Sequence, residues 1–88
     1  KREIDNTINN IKLLELEFEI EEKQKEVLEN DVLIERESYN LGISSTLDVY
    51  ESEIESNNQS LTLIELDNKI YKSYFSLLNQ LGKLKVNQ

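Results

Sequence analysis

The stretch Tyr39-Asn40-Leu41-Gly42-Ile43-Ser44-Ser45-Thr46-Leu47-Asp48-Val49-Tyr50 decides the fold of this chain. It lies near the midpoint, holds one of only two glycines, and is flanked by long proline-free runs with helical periodicity. Gly42 is where a helix can end, because glycine takes the left-handed conformation just past a last turn at no steric cost. Ser45 and Asp48 have the Ser-x-x-Asp spacing of a capping box. The hydroxyl accepts from the third helical N–H, and the carboxylate reaches back while favouring the positive end of the dipole. One helix stops here and another starts a few residues later. The expectation is an all-α fold, a long antiparallel helical hairpin: a first helix over 1–41, a tip over 42–45, a second helix over 46–82 and a frayed tail over 83–88.

Outward from the tip, each run carries two apolar series with a seven-residue repeat. In the first, Ile4, Ile11, Phe18, Val32 and Tyr39 form one series, interrupted by Lys25, with Leu14 and Leu28 three places on. Leu13, Ile20, Val27, Ile34 and Leu41 form the other. In the second run, Leu47, Tyr50, Ile54, Leu61, Ile64, Tyr71, Phe75 and Leu78 alternate in steps of three and four, as a coiled-coil seam does. Asn57 and Asn68 fill its polar exceptions and read as register-setting residues. A further series there is Val49, Leu63, Ile70, Leu77 and Leu84, broken at Ser56. Residues two apart on a helix point about 200° apart, so each helix has two separate stripes, where an ordinary surface helix has one. Either can face the partner helix. The other then stays open over about 50 Å, and such a stripe marks an interface. Side-by-side packing of hairpins into a bundle or a ring follows, with left-handed supercoiling from the seven-residue period.

Composition narrows the function classes. Lys and Arg number 10 against 18 Asp and Glu, a net charge of −8, which argues against nucleic acid and anionic lipid as partners. The interleaving of acids with apolar residues at helical spacing argues against a disordered tail. There is no cysteine, hence no disulfide or thiolate metal site, and no histidine. Without His, Cys or a Gly-rich phosphate loop, neither an enzyme, a metal site nor a cofactor is expected. No apolar run approaches the roughly 20 residues of a membrane helix, so this segment is not expected to enter a bilayer. The run Glu21-Glu22-Lys23-Gln24-Lys25-Glu26 reads as a solvated face with internal ion pairs of little net worth. Gly82 reads as the end of the second helix, with Lys83 and Lys85 suiting its negative pole.

The tip also resembles a known family. Tyr39-x-x-Gly42, then Ser45, then Leu47-Asp48-Val49 with Glu51 three places after the Asp, is similar to the hairpin tip of TolC-like outer-membrane channels. The ending Tyr74-Phe75-Ser76-Leu77-Leu78-Asn79-Gln80-Leu81-Gly82 is similar to the leucine–glycine pair that closes the family's long helices. The likeness covers about Tyr39 to Gly82; the first helix resembles the family in pattern only.

The resemblance implies a hairpin from the periplasmic α-barrel of a homotrimeric drug-efflux or type I secretion duct, localised to the outer membrane and cut from a longer chain. It implies that Leu41, Gly42, Ile43 and Ser44 form the surface that meets a periplasmic adaptor protein. It also implies that Asp48, Glu51 and Tyr39 line the narrow entrance. Two acids in the first turns of a helix are equally accounted for by the dipole alone. Where the family often has an arginine beyond the tip glycine, this chain has Ser44, so an arginine-centred lock is absent there. Two other readings stand beside it. A periplasmic adaptor hairpin fits Arg36 and Ile43 at its tip spacing but not Tyr50. An unrelated dimerising coiled-coil stalk needs only one seam per helix.

Overall fold

The computed structural model describes residues 2–86, with side chains to residue 83. Among these residues there are two α-helices, α1 over Arg2–Asn40 and α2 over Thr46–Val86, and no strand. The fold is an all-α helical hairpin. Contacts divide the chain into two compact units, Lys1–Glu19 with Ile64–Gln88 and Ile20–Leu63.

The turn between the helices is closed by backbone bonds. Gly42 sits at φ 78°. The Gly42 N–H donates to the Tyr39 carbonyl at 3.0 Å and the Ile43 N–H to the Ser38 carbonyl at 2.8 Å. This pair of bonds, one spanning three residues and one five, is a Schellman motif, which satisfies the last carbonyls of α1. The Ser44 N–H also reaches the Ser38 carbonyl, at 3.2 Å. The expected stop at Gly82 is not where α2 ends. The helix passes through Gly82 to Val86, and Gly42 is the one glycine with positive φ. Lys83-Leu84-Lys85-Val86 contains no helix breaker, so nothing forces the left-handed turn at Gly82. Residues 87–88 of the expected tail, and the side chains of Leu84 and Lys85, lie outside the described residues.

In the unit Lys1–Glu19 with Ile64–Gln88 the two helices run antiparallel, with the Thr7 hydroxyl hydrogen-bonded to the Gln80 side-chain amide at 3.0 Å. Ile11 and Leu66 are buried, and Ile4, Ile8, Leu14, Phe18, Ile70 and Leu77 are half-buried beside them. This seam is mainly apolar. In Ile20–Leu63 the seam is not. Val32 and Leu63 are buried and Leu28 and Val49 half-buried, but Glu21, Lys25, Glu35, Ser52, Ser56 and Gln59 share the same inward positions. Gln59 Nε2 donates to the Glu21 main-chain carbonyl at 2.9 Å and to the Glu21 carboxylate. The run Glu21–Glu26 is therefore not simply a solvated face. Its residues 21 and 25 fall on the inward track, where the step of four carries them against α2.

The more apolar of the two α2 series is the outer one. Leu47, Tyr50, Ile54 and Leu61 in one unit, and Ile64, Tyr71, Phe75 and Leu78 in the other, are exposed. Asn57 and Asn68 go with them to the outside, so they cannot set the register within the hairpin. On α1 the outer series is Leu13, Ile20, Val27 and Ile34, with Leu16 beside it and Leu41 continuing it into the turn, all exposed. Tyr39 does not continue the inner series. It is 49% exposed, and Ser38 takes the half-buried place where the helix unwinds into the turn.

Outer and inner tracks are related simply. On α1 each outer residue follows an inner one by two places, as Leu13 follows Ile11 and Ile34 follows Val32. On α2 it precedes by two, as Leu47 precedes Val49 and Leu61 precedes Leu63. Two places are about 200°, so outer and inner tracks lie on nearly opposite sides of each helix. Because the helices are antiparallel, forward on one is the same rotation as backward on the other. The two outer edges of each unit therefore face away from each other.

Candidate functional site: the tip and its acidic flank

The tip is built from the two helix ends. Ser45 caps α2: its Oγ accepts from the Asp48 N–H at 3.2 Å, while its own N–H donates to Asp48 Oδ2 at 3.0 Å. The reciprocal pair satisfies two donors that the first turn would otherwise leave to water. Between the two caps the side chains of Leu41 and Ile43 are 75% and 78% exposed. No other large apolar side chains among the described residues are as open. Ser44 behaves differently from its neighbours. It is half-buried, and its hydroxyl donates to Glu35 Oε2 at 2.8 Å, so it ties the turn back to α1. Of the four residues expected to form the docking surface, Leu41, Gly42 and Ile43 are on the outside and Ser44 braces them from within.

Asp48 and Glu51 are both exposed and stand on one flank of the unit Ile20–Leu63. They line an open groove of about 400 Å³ together with Asp31, Ile34, Glu35, Ser52 and Glu55. Capping engages one Asp48 oxygen and leaves the other free. The resemblance at the tip singled out two of these acids, Asp48 and Glu51. Asp31 and Glu35 are four apart on α1, as are Glu51 and Glu55 on α2, and that shared spacing was the available signal for the other three. Tyr39, expected beside Asp48 and Glu51, does not line this groove.

The opposite flank carries a groove of about 490 Å³ between Glu29, Val32, Leu33, Arg36, Glu53, Ser56 and Asn57. Arg36 closes it, with Nη2 at 2.8 Å and Nε at 3.3 Å from Glu53 Oε1. Among the described residues this is the salt bridge of the hairpin, and its partners are 57% and 40% exposed.

Charge is distributed unevenly. Ile20–Leu63 holds 11 carboxylates against three cations, Lys23, Lys25 and Arg36, a net −8 that equals the charge of the whole chain. The other unit, with seven of each sign, is neutral. A cation near the tip flank meets a summed negative potential that one neighbouring acid could not provide. Among the described residues no group of three His, Cys, Asp or Glu is arranged to hold a metal ion. No described helix is long and apolar enough to cross a membrane.

Taken together these features define a class: an antiparallel coiled-coil hairpin with two outward apolar edges and an acidic tip region. No family model, curated protein or solved structure matches the chain.

Proposed function

We propose that the chain is a wall element of a conduit: the periplasmic α-hairpin of a TolC-like outer-membrane channel, with its tip as adaptor-docking surface and gate. One observation carries the reading. The hairpin keeps polar residues in the inner seam of Ile20–Leu63 and puts its better apolar seams on two edges that face away from each other. Hydrophobic burial is the dominant favourable contribution to folding and association, so a chain patterned this way is stabilised by neighbours on both sides. A row of such hairpins encloses a ring, and the tip motif around Gly42 resembles that of channels made in this way.

Within this reading Leu41 and Ile43 contact the adaptor through apolar surface, and Gly42 lets the two backbones approach. Asp48 and Glu51, repeated around a homotrimer, form a negative constriction that concentrates cations. Transport is passive, and cargo is selected by the pump that the duct serves. The adaptor reading fits Arg36 and Ile43 at its tip spacing but fails at Tyr50, and it stands second for that reason.

The test uses the complete channel in a planar bilayer. Asp48→Asn with Glu51→Gln is expected to weaken block by a trivalent hexaammine cation added from the tip side. Unchanged block removes the constriction. In cells, a cysteine at position 43 is expected to crosslink to the adaptor tip, and its failure to do so at normal expression removes the docking role.

A further inference from the structure

Charge along α2 is sorted by sign. From Thr46 to Asn68 the helix carries Asp48, Glu51, Glu53, Glu55, Glu65 and Asp67, and no lysine or arginine. From Lys69 to Val86 it carries Lys69, Lys72, Lys83 and Lys85, and no acid. The outer apolar series, Leu47 to Leu78 in steps of three and four, crosses both halves. Every position in it is exposed, Asn57 and Asn68 included. An apolar face bordered by acids in one half and by lysines in the other is complementary to itself once a second copy is turned end for end.

We infer that the occupant of the α2 outer edge is the same edge of a second copy, antiparallel to it, in a two-fold contact where Asn57 of each copy meets Asn68 of the other. In that register Leu47 lies against Leu78, Tyr50 against Phe75, Ile54 against Tyr71 and Leu61 against Ile64, so no position of the series is left over. The paired asparagine amides satisfy one another in an otherwise apolar seam. Each row that borders the layers meets its own counterpart across an antiparallel seam. The row Glu51, Asn58, Glu65 and Lys72 sets Glu51 against Lys72 and Asn58 against Glu65. The row Glu53, Ser60, Asp67 and Tyr74 sets Glu53 against Tyr74 and Ser60 against Asp67. No carboxylate faces another. A slip of one heptad toward the acidic halves sets Glu51 against Glu65, Glu53 against Asp67 and Asn57 against Leu61. The opposite slip sets Glu65 and Asp67 each against its own copy and Asn57 against Phe75. Like charges and unpaired amides therefore disfavour both neighbouring registers. The apolar layers hold the pair together, and the exposed charges, individually weak, choose its register. The tip of one copy then lies beside the far end of the other copy's α2, so the pair is a state of the free chain. It goes beyond the conduit reading and does not rest on it.

The chain has no cysteine, so single replacements report cleanly. Asn57→Cys and Asn68→Cys proteins, each exposed at the site and checked for helix content by circular dichroism, are oxidised alone and as an equal mixture at a concentration where sedimentation shows association. Several-fold more disulfide dimer in the mixture than in either protein alone is the expected result. A mixture of Asn57→Cys with Leu61→Cys, which only the slipped register would join, is expected to give little. Dimers that form mainly within one variant, or mainly in that second mixture, would overturn the inference. So would association without any disulfide, which would place the contact on another face, or a monomer at every concentration reached. Cation block and adaptor crosslinking are read in the complete channel, so failure of this pairing and failure of the conduit are told apart.

Discussion

The two glycines of this chain do opposite work, and substitution separates them. Gly42 at φ 78° has nothing within 4 Å of an added Cβ, so its alanine variant meets backbone strain alone. Gly42→Ala is expected to destabilise the hairpin by about 1 kcal/mol and lower the thermal midpoint. Gly82 also has open space around it but lies inside α2 at negative φ. Gly82→Ala is expected to stabilise by up to about 1 kcal/mol, since alanine loses less freedom in a helix. A fall in the midpoint for both variants would contradict the passage of α2 through Gly82. At the cap, Ser45→Ala removes the acceptor for the Asp48 N–H and is expected to cost about 1 kcal/mol in chemical denaturation. Arg36→Ala is expected to cost less, about 0–1 kcal/mol, because the ion pair is open to solvent, its side chains 57% and 40% exposed.

At the scale of the helices, the steps of three and four and the turn chemistry were legible in the sequence. The Schellman bonds and the capping box occupy the residues whose types demand them. The assignment of the seams was not legible. Either series of α2 could turn inward, and the structure puts the richer one, Leu47 to Leu78, outside. A single helix with two equally spaced stripes carries no information about which stripe its own partner takes. That choice depends on how α1 and α2 match across the seam, as where Gln59 meets Glu21. For the same reason the positions of Lys25 and Glu21 on the inward track are visible only once the partner is in place. Gln59→Ala is expected to destabilise by about 1 kcal/mol or more, because it leaves the half-buried Glu21 carboxylate without its donor. Replacing both, Glu21→Leu with Gln59→Leu, is expected to raise stability above the single variant in urea unfolding. A double variant less stable than the single one would mean that the polar pair is worth more than apolar packing at that site.

For the whole molecule, the proposed side-by-side packing sets two forces against each other: the apolar edges would draw copies together while the charge of Ile20–Leu63 repels them. Like charges of this density on neighbouring hairpins are screened by salt, whereas apolar contact is not weakened by it. Self-association measured by sedimentation is therefore expected to strengthen between low and moderate sodium chloride. Weakening over that range would place attractive ion pairs, and not apolar edges, at the contact. Ile34→Ser with Ile54→Ser should abolish association without unfolding the monomer, since both side chains are already exposed.

A seam that is half polar also bears on the life of a solitary copy. If neighbours cover these flanks as proposed, the polar inner seam of residues 20–63 makes local opening of an uncovered copy cheaper than in a segment with an apolar interior. An orphan subunit would offer this stretch to proteases, and limited digestion of dilute protein should nick it first. Assembly would then double as quality control, with the copies that find their places escaping degradation.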